Sequence, residues 1–226
     1  MLMRSSDLKL PVNELFETVQ GEATFTGTPS TFVRLQRCDV GCPWCDTKYT
    51  WELDPAQAGT LADIVSKADP SPAYASVTID QLMMVLMPSR SRHLVLTGGE
   101  PCMYDLTELS SRMIAEGWTV QVETSGTEPI RIHPRAWVTV SPKINMPGGR
   151  LFLADAWERA NEIKYPVGKP ADVEALLHCI ALYGPARMIW LQPLSMSKKA
   201  TALCMDVARR NGWRISIQTH KFLGVR

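Results

Sequence analysis

The sequence carries almost no excess of charge of either sign. Its 226 residues include 24 Lys plus Arg and 23 Asp plus Glu, which gives a formal net charge of +1 at pH 7. Proteins that bind nucleic acid or anionic membranes through their overall field usually carry a clear basic excess. We therefore expect no nucleic-acid partner, and only a local basic patch could be concealed by this balance.

Long apolar runs are also missing. No run approaches the ~20 apolar residues that a membrane-spanning helix needs, and residues 1–10 (MLMRSSDLKL) contain no apolar stretch like that of a signal peptide. With 45% apolar and 21% charged residues, the composition is that of an ordinary globular chain. We expect a soluble cytoplasmic protein with no membrane partner, built as a single domain over residues 1–226 with a surface insertion at 54–75.

Strand-like and helix-like segments alternate over the second half of the chain. Strands are predicted at 93–96, 119–123, 137–140, 162–165, 187–191 and 214–217, and helices at 105–116 and 198–211, with one helix capped by Asp172 and another opened by Thr78 and Gln81. This alternation predicts an α/β fold with a parallel sheet and right-handed crossovers. The stretch 122–163 has only a sparse helical pattern, which predicts a shortened or lost crossover helix.

Polar and glycine-rich groups follow the predicted strands. In parallel sheets, chemistry collects at the C-terminal ends of the strands, because those ends meet along one edge. The groups expected at this edge are 97–101 (TGGEP), 123–126 (ETSG), 141–143 (SPK) and 192–193 (QP).

The six cysteines are unevenly spread. Cys38, Cys42 and Cys45 form C-x3-C-x2-C, and the nearest histidine is His93. Three thiolates on a short loop can each bind one iron of a cubane cluster and leave the fourth iron open, whereas ferredoxin-type clusters use four cysteines. Structural zinc prefers four protein ligands and catalytic zinc three plus water. The spacing favours an iron–sulfur cluster and leaves zinc as an alternative.

Two motifs together resemble the radical S-adenosylmethionine (SAM) superfamily. The first is C-x3-C-x2-C with an aromatic residue, Trp44, before the last cysteine, and the second is Gly-Gly-Glu-Pro at 98–101. The resemblance implies that the three cysteines hold a [4Fe-4S] cluster and that SAM chelates the open iron. Because a fourth thiolate would close that iron, Cys102 is expected to pack beneath the site.

Further segments narrow the resemblance. The segments 13–27 (NELFETVQGEATFTG), 45–47 (CDT), 141–143 (SPK) and 218–221 (QTHK) resemble the 7-carboxy-7-deazaguanine synthase family, most closely its enterobacterial branch. The resemblance implies a modified, incomplete (β/α) barrel and the ring contraction of 6-carboxy-5,6,7,8-tetrahydropterin to 7-carboxy-7-deazaguanine with loss of ammonia, in queuosine and deazapurine biosynthesis. It also implies regenerated SAM, Mg2+, a reductase or flavodoxin-type electron donor, and a homodimer.

The resemblance also assigns site residues. Thr47 would bind Mg2+. The residues that would contact SAM are Trp44, Cys45, Asp46, Gly99, Ser141, Pro142, Lys143, Gln192 and Pro193. Those that would contact the pterin are Val19, Gln20, Gly21, Arg34, Thr97 and the terminal Arg226, with Glu123 and His220 as further polar candidates.

One position departs from the family pattern. Where relatives commonly read Gly-Glu-Gly, this chain has Ala23 after Gly21 and Glu22. If that position needs a positive φ, alanine would be strained there.

Two other functions fit the cysteine loop: a glycyl-radical-enzyme activase, and a non-enzymatic thiolate module that binds zinc or passes electrons.

Overall fold

One sheet organises the part of the chain that the structure describes. The computed structural model describes residues 8–225, the side chain of Met196 excepted. Within that range the strands form a ten-stranded sheet in the order β10-β9-β8-β7-β6-β5-β2-β1-β4-β3. The strands are β1 Lys9–Val19, β2 Pro29–Leu35, β3 Ala58–Gly59, β4 Tyr74–Thr78, β5 His93–Gly98, β6 Thr119–Thr124, β7 Trp137–Val140, β8 Glu162–Val167, β9 Ile189–Pro193 and β10 Arg214–Ile215.

The sheet is parallel from β2 to β10 and antiparallel around β1. β2 pairs parallel with β5, and the same direction continues through β6, β7, β8, β9 and β10. β1 pairs antiparallel with both β2 and β4. The sheet is open rather than closed into a barrel, which confirms the predicted α/β fold of the incomplete-barrel type.

Helices cover the sheet between the parallel strands. They are α1 Leu61–Val65, α2 Ile79–Leu86, α3 Thr107–Ala115, α4 Ala154–Arg159, α5 Pro170–Tyr183, α6 Lys198–Asn211 and α7 Thr219–Leu223. α3 packs on β6, α5 on β8, and α6 on β9 and β10. No helix lies between β6 and β7, and the connection from β7 to β8 contains only the six-residue α4, as the sparse pattern of that stretch predicted.

Each parallel strand has an apolar face and a polar face. Successive side chains of a strand point to opposite sides of a sheet. Val120 and Val122 of β6 join the apolar core, whereas Gln121 alternates with them. In β8, Ile163 joins the core in the same way. The core therefore fills the space under the helices, and the other side of the sheet carries polar groups, listed strand by strand as Gln121, Glu123, Thr139, Glu162, Lys164 and Gln192.

Side-chain caps begin three of the helices, α1, α2 and α6. Thr78 and Gln81 form the predicted capping box of α2, and the Ser197 side chain accepts a hydrogen bond from the Ala200 N–H at the start of α6. The predicted cap of α5 at Asp172 is wrong. The cap is Lys169, three residues earlier, and α5 begins at Pro170, because proline suits the first helical position and Asp172 accepts the Gly168 and Lys169 N–H groups from inside the first turn.

The segment 54–75, predicted as a surface insertion, ends inside the sheet, because Tyr74 and Ala75 are buried residues of β4 and Ala75 pairs with Val12 of β1. The rest of the segment contains β3 and α1, and most of its side chains are exposed. Ile64 of α1 is buried in the apolar core. The Lys67 ammonium donates to the Asn13 backbone carbonyl at 3.1 Å and to the Ser71 carbonyl at 2.8 Å, which fastens the segment to β1.

Among residues 8–225, no helix combines the length and the apolar character that a bilayer-spanning segment requires.

Candidate active site

A cavity of about 410 Å3 lies at the C-terminal ends of the parallel strands. It collects nearly all the residues that the sequence assigned to the site, and these are Val19, Gln20, Gly21, Arg34, Cys38, Cys42, Trp44, Cys45, Asp46, Thr47, Thr97, Gly99, Ser141, Lys143, Gln192 and Pro193. Glu123 and His220 also line it. Pro142 instead lines an adjoining cavity of about 390 Å3, which shares Trp44, Pro166 and Leu194 with the first. Arg226 lies outside the described residues.

The cysteine loop leaves β2 and is held by backbone hydrogen bonds. The Cys38 N–H donates to the Trp51 carbonyl at 3.1 Å, and the Cys45 N–H donates to the Cys42 carbonyl at 3.1 Å. The Cys45 sulfur lies 3.5 Å from the Thr47 hydroxyl oxygen. The loop thus places the last cysteine beside the residue predicted to bind Mg2+.

The Gly-Gly turn after β5 packs directly against this loop. The Gly99 N–H donates to the Leu35 carbonyl at 2.9 Å. A Cβ on Gly99 would lie 2.1 Å from the carbonyl oxygen of Arg37, the residue before Cys38, a distance that real Cβ atoms do not show. Gly98 has φ +145° and a similar conflict with the backbone of Leu35. The motif therefore needs glycine because two backbones approach closely, as well as for the turn itself.

Burial disfavours the ionised form of two of the three thiols, Cys38 and Cys42. Burial raises the pKa of Cys38 to about 11 and raises the pKa of Cys42 above its usual value, although the charge of Lys143 opposes the shift at Cys42. Because metals bind the thiolate, this environment suits a group that brings its own positive charge. A set of sulfur ligands on an open loop fits an iron–sulfur cluster in its donor chemistry.

The placement of the thiols does not by itself form a metal site. Among the described residues, no three His, Cys, Asp or Glu side chains are arranged so that together they could hold a metal ion. The cluster ligands therefore stay a prediction that rests on the motif. Cys102 is 1% exposed and lies in the apolar core, which agrees with the expected packing role.

Glu100 of the same motif connects two strand ends through hydrogen bonds. Its carboxylate is 2% exposed and accepts hydrogen bonds from the Thr124 hydroxyl at 2.6 Å, the Ser125 N–H at 2.8 Å and the Cys102 N–H at 2.9 Å. The Ser125 hydroxyl donates to it as well. Glu100 thus joins the end of β5 to the end of β6, a role that sequence reasoning did not assign.

The turn after β1 meets the C-terminal helix. Ala23 has φ +54°, so this position does need the left-handed conformation that the departure from glycine called into question. The Thr219 N–H and hydroxyl both donate to the Gly21 carbonyl at 3.0 Å. A Cβ on Gly21 would lie 2.1 Å from Nδ1 of His220, so the absence of a side chain there lets α7 dock.

Arg34 lines the cavity and forms an ion pair with Glu14. Its Nε donates to the Glu14 carboxylate at 2.6 Å, and its guanidinium carbon lies 5.9 Å from the centre of the Phe16 ring. The side chain is 17% exposed. The arginine predicted to bind a substrate carboxylate is therefore oriented by a neighbouring strand.

Two charged residues that line the cavity, Lys164 and Glu22, were not assigned to the site from the sequence. The Lys164 ammonium pairs with the carboxylates of Glu22 and Glu123, and Gln218 donates to Glu22 at 2.9 Å. A lysine at an inward position of a strand whose other face is apolar was the available signal. Its partners could not be identified without the sheet register.

Together, the open parallel sheet, the C-x3-C-x2-C loop and the Gly-Gly-Glu-Pro turn packed against it define a protein of the radical SAM class. No protein-family model matches the chain. The 7-carboxy-7-deazaguanine synthase of Escherichia coli (strain K12) is 46% identical over 222 residues, covering 96% of this chain and 100% of that protein. That of Buchnera aphidicola subsp. Schizaphis graminum is 38% identical over 220 residues, covering 96% and 99%.

A solved structure agrees with these relatives. The crystal structure of QueE from Escherichia coli matches with a TM-score of 0.91 and 44% identity over 95% of this chain and 96% of that chain. The chain belongs to the 7-carboxy-7-deazaguanine synthase family. This membership decides against the activase and the thiolate module.

Proposed function

We propose that the protein converts 6-carboxy-5,6,7,8-tetrahydropterin to 7-carboxy-7-deazaguanine and ammonia, in queuosine and deazapurine biosynthesis. One observation carries the proposal: the cysteine loop, the Gly-Gly turn, Ser141 with Lys143, and the 19–21 turn all line one cavity. The identity of 46% over 96% of the chain to a synthase of this name supports it.

The cofactors of the proposal are a [4Fe-4S] cluster and SAM, which membership of the family implies in general. Cys38, Cys42 and Cys45 would hold the cluster. When bound, the two groups supply one-electron cleavage of SAM and a radical that abstracts hydrogen. The protein contributes placement and exclusion of water: the Gly99 backbone and the Lys143 side chain border the space beside the cysteines.

The substrate would lie against the turn after β1 and against β2. The Gln20 side chain is 2% exposed; its Nε2 donates to Glu123 and Gln121 at 3.2 Å, and its Oε1 accepts the Glu22 N–H. It therefore anchors the turn that lines the cavity. Arg34 offers a guanidinium fork for the substrate carboxylate, since planar carboxylate recognition favours arginine.

We propose a Mg2+ site at Thr47. The support is its hydroxyl 3.5 Å from the Cys45 sulfur and its position on the cavity wall. A single hydroxyl is sufficient only because Mg2+ keeps several waters and takes further oxygens from the substrate.

The test is an anaerobic assay of the reconstituted protein. Iron, sulfide, a reductant, SAM, Mg2+ and 6-carboxytetrahydropterin are supplied, and products are followed by mass spectrometry. We expect 7-carboxy-7-deazaguanine to form without stoichiometric consumption of SAM. A cluster that cleaves SAM and leaves the pterin unchanged would refute the reaction.

The Mg2+ assignment is tested in the same assay. Thr47→Ala should lower product formation at least tenfold while the iron content stays unchanged, because only the Mg2+ ligand is removed. Thr119→Ala, at an exposed strand end, is the matched control. Full activity and unchanged Mg2+ dependence in Thr47→Ala would show that the assignment is wrong.

On family resemblance alone we also propose a homodimer, a reductase or flavodoxin-type electron donor, and a cytoplasmic location. Light scattering of the reconstituted protein would test the first of these.

A further inference from the structure

A buried ion triad forms part of the cavity wall. The Lys164 ammonium, on the inward face of β8, lies 3.3 Å from Oε1 of Glu123 and closer still to Oε2 of Glu22. The Lys164 side chain is 9% exposed, and those of Glu22 and Glu123 are 12% and 20% exposed. All three residues line the cavity. One lysine thus contacts two carboxylates that come from the turn after β1 and from the end of β6.

Amide side chains complete the wall around the triad. Oε1 of Glu22 accepts from Gln192 Nε2 at 3.2 Å and from Gln218 Nε2 at 2.9 Å. Oε1 of Glu123 accepts from Gln20 Nε2 at 3.2 Å. The amides fix the directions of the carboxylates but carry no charge, so within the triad Lys164 alone balances the charge.

The charges of the triad depend on one another. Burial acts to raise the pKa of Glu22, but the charge and hydrogen bond of Lys164 outweigh it and lower this pKa to about 2. Burial acts to lower the pKa of Lys164, and the two carboxylates reverse this and raise it above its usual range. His220 of α7 and Lys143 also face Glu22. Glu22 is therefore ionised at neutral pH.

The ionised state determines what the wall can bind. A carboxylate only accepts hydrogen bonds and has about four lone-pair sites, whereas a protonated carboxyl also donates. A tetrahydropterin presents N–H groups from its amino group and its ring nitrogens. A protonated Glu22 would place an O–H donor opposite the N–H donors of the pterin.

We propose that Lys164 is a positioning residue, which keeps Glu22 ionised and directs Glu22 and Glu123 into the cavity so that they accept the N–H groups of the pterin ring. The inference rests on the function proposed above. It assigns the recognition of the substrate's donor edge to a triad whose lysine lies outside every motif of the sequence.

A titration tests the charge relation without cofactor or substrate. In protein labelled with 13C at the glutamate carboxyls, with the signal of Glu22 assigned from Glu22→Gln, the wild type should show a Glu22 pKa near 2. In Lys164→Met the pKa should rise above the ordinary 4.5, because burial remains while the charge and the hydrogen bond of Lys164 are lost. Lys199→Met, an exposed lysine of α6, is the control and should leave the titration unchanged. An unchanged Glu22 pKa in Lys164→Met would overturn the proposal.

Kinetics test the positioning role. Lys164→Met should raise the KM for the pterin at least tenfold and move the acid limb of kcat/KM upward by at least one pH unit, while the iron content and SAM cleavage without substrate stay at wild-type levels. Lys164→Arg keeps the charge and should keep the acid limb. An unmoved limb or an unchanged KM in Lys164→Met would refute positioning and leave a structural ion pair.

Two further outcomes are separable. If Lys164→Met does not fold, Lys164→Gln removes the charge but keeps a hydrogen-bond donor, and the pKa of Glu22 in it should exceed that in the wild type. Equal values would overturn the proposal. A wild-type protein that makes no product would refute the proposed function and the substrate role with it, even if the titration showed the predicted shift of Glu22.

Discussion

Replacing Glu100 by glutamine should destabilise the protein more than any change of similar size on its surface. The Glu100 carboxylate accepts four hydrogen bonds in a buried place, two at each oxygen. Oε1 receives the Cys102 N–H and the Thr124 hydroxyl, and Oε2 receives the N–H and hydroxyl of Ser125. Glutamine keeps the volume but replaces one acceptor oxygen by an NH2 donor.

Neither orientation of the glutamine amide can satisfy this arrangement. Its NH2 group must face the backbone N–H of Cys102 or that of Ser125, and an N–H cannot rotate to become an acceptor. A hydrogen bond to a charged group contributes about 1.5–3 kcal/mol, and a buried donor without a partner costs about 1–3 kcal/mol. We therefore expect Glu100→Gln to lower the free energy of unfolding by about 3 kcal/mol.

Urea denaturation followed by circular dichroism measures the loss. Glu116→Gln is the matched control, because Glu116 is exposed at the end of α3 and such changes usually fall within about 0.5 kcal/mol. A loss below about 1 kcal/mol for Glu100→Gln would show that the four donors find other partners. The reasoning that Glu100 ties β5 to β6 would then be wrong.

Two further predictions concern the loop and the core. Gly99→Ala places a methyl group 2.1 Å from the Arg37 carbonyl oxygen, which should distort the cysteine loop. The control is Gly168→Ala, where the nearest atom is a movable Leu194 methyl at 3.1 Å. After reconstitution Gly99→Ala should bind less than half the iron that Gly168→Ala binds, and equal iron contents would contradict this. Burial lowers the pKa of His93 below its usual 6.5, so the unfolded chain takes up a proton there before the folded one does, and stability should fall as the pH drops below 6.5. Between pH 7.5 and pH 5, the urea midpoint should fall less in His93→Gln than in the wild type. An equal fall in both proteins would refute the assignment of this pH dependence to His93.

The sequence allowed the edge of the sheet to be predicted better than its interior. The groups at Gly99, Ser141 and Gln192 could be assigned to one cavity because the C-terminal ends of parallel strands meet, whatever the register. The cysteine loop could be assigned from its spacing. These inferences need only the direction of each strand.

Contacts between distant segments could not be predicted in this way. The pair of Gly21 and Thr219 joins residues 198 apart in the chain, and no local pattern connects them. β1 was missed because Pro11, Asn13 and Glu14 break the alternation of apolar and polar residues. Asn13 is nevertheless buried, with its side-chain amide donating to Gln36 at 2.7 Å.

The openness of the sheet explains why the missed residues lie where they do. A closed barrel would join its strands by a continuous ladder, whereas here the turn after β1 reaches the β10 side through single hydrogen bonds, such as that from the Ala23 N–H to the Ser216 hydroxyl at 2.9 Å. Glu22 lies beside this junction and binds Gln192 of β9 and Gln218 before α7. The turn after β1 and the β9 to α7 side of the sheet therefore meet through polar side chains at the wall of the cavity. Because those side chains both join these segments and line the cavity, their charges are constrained by both tasks, and Lys164, which pairs with Glu22, is the residue at which the two constraints coincide.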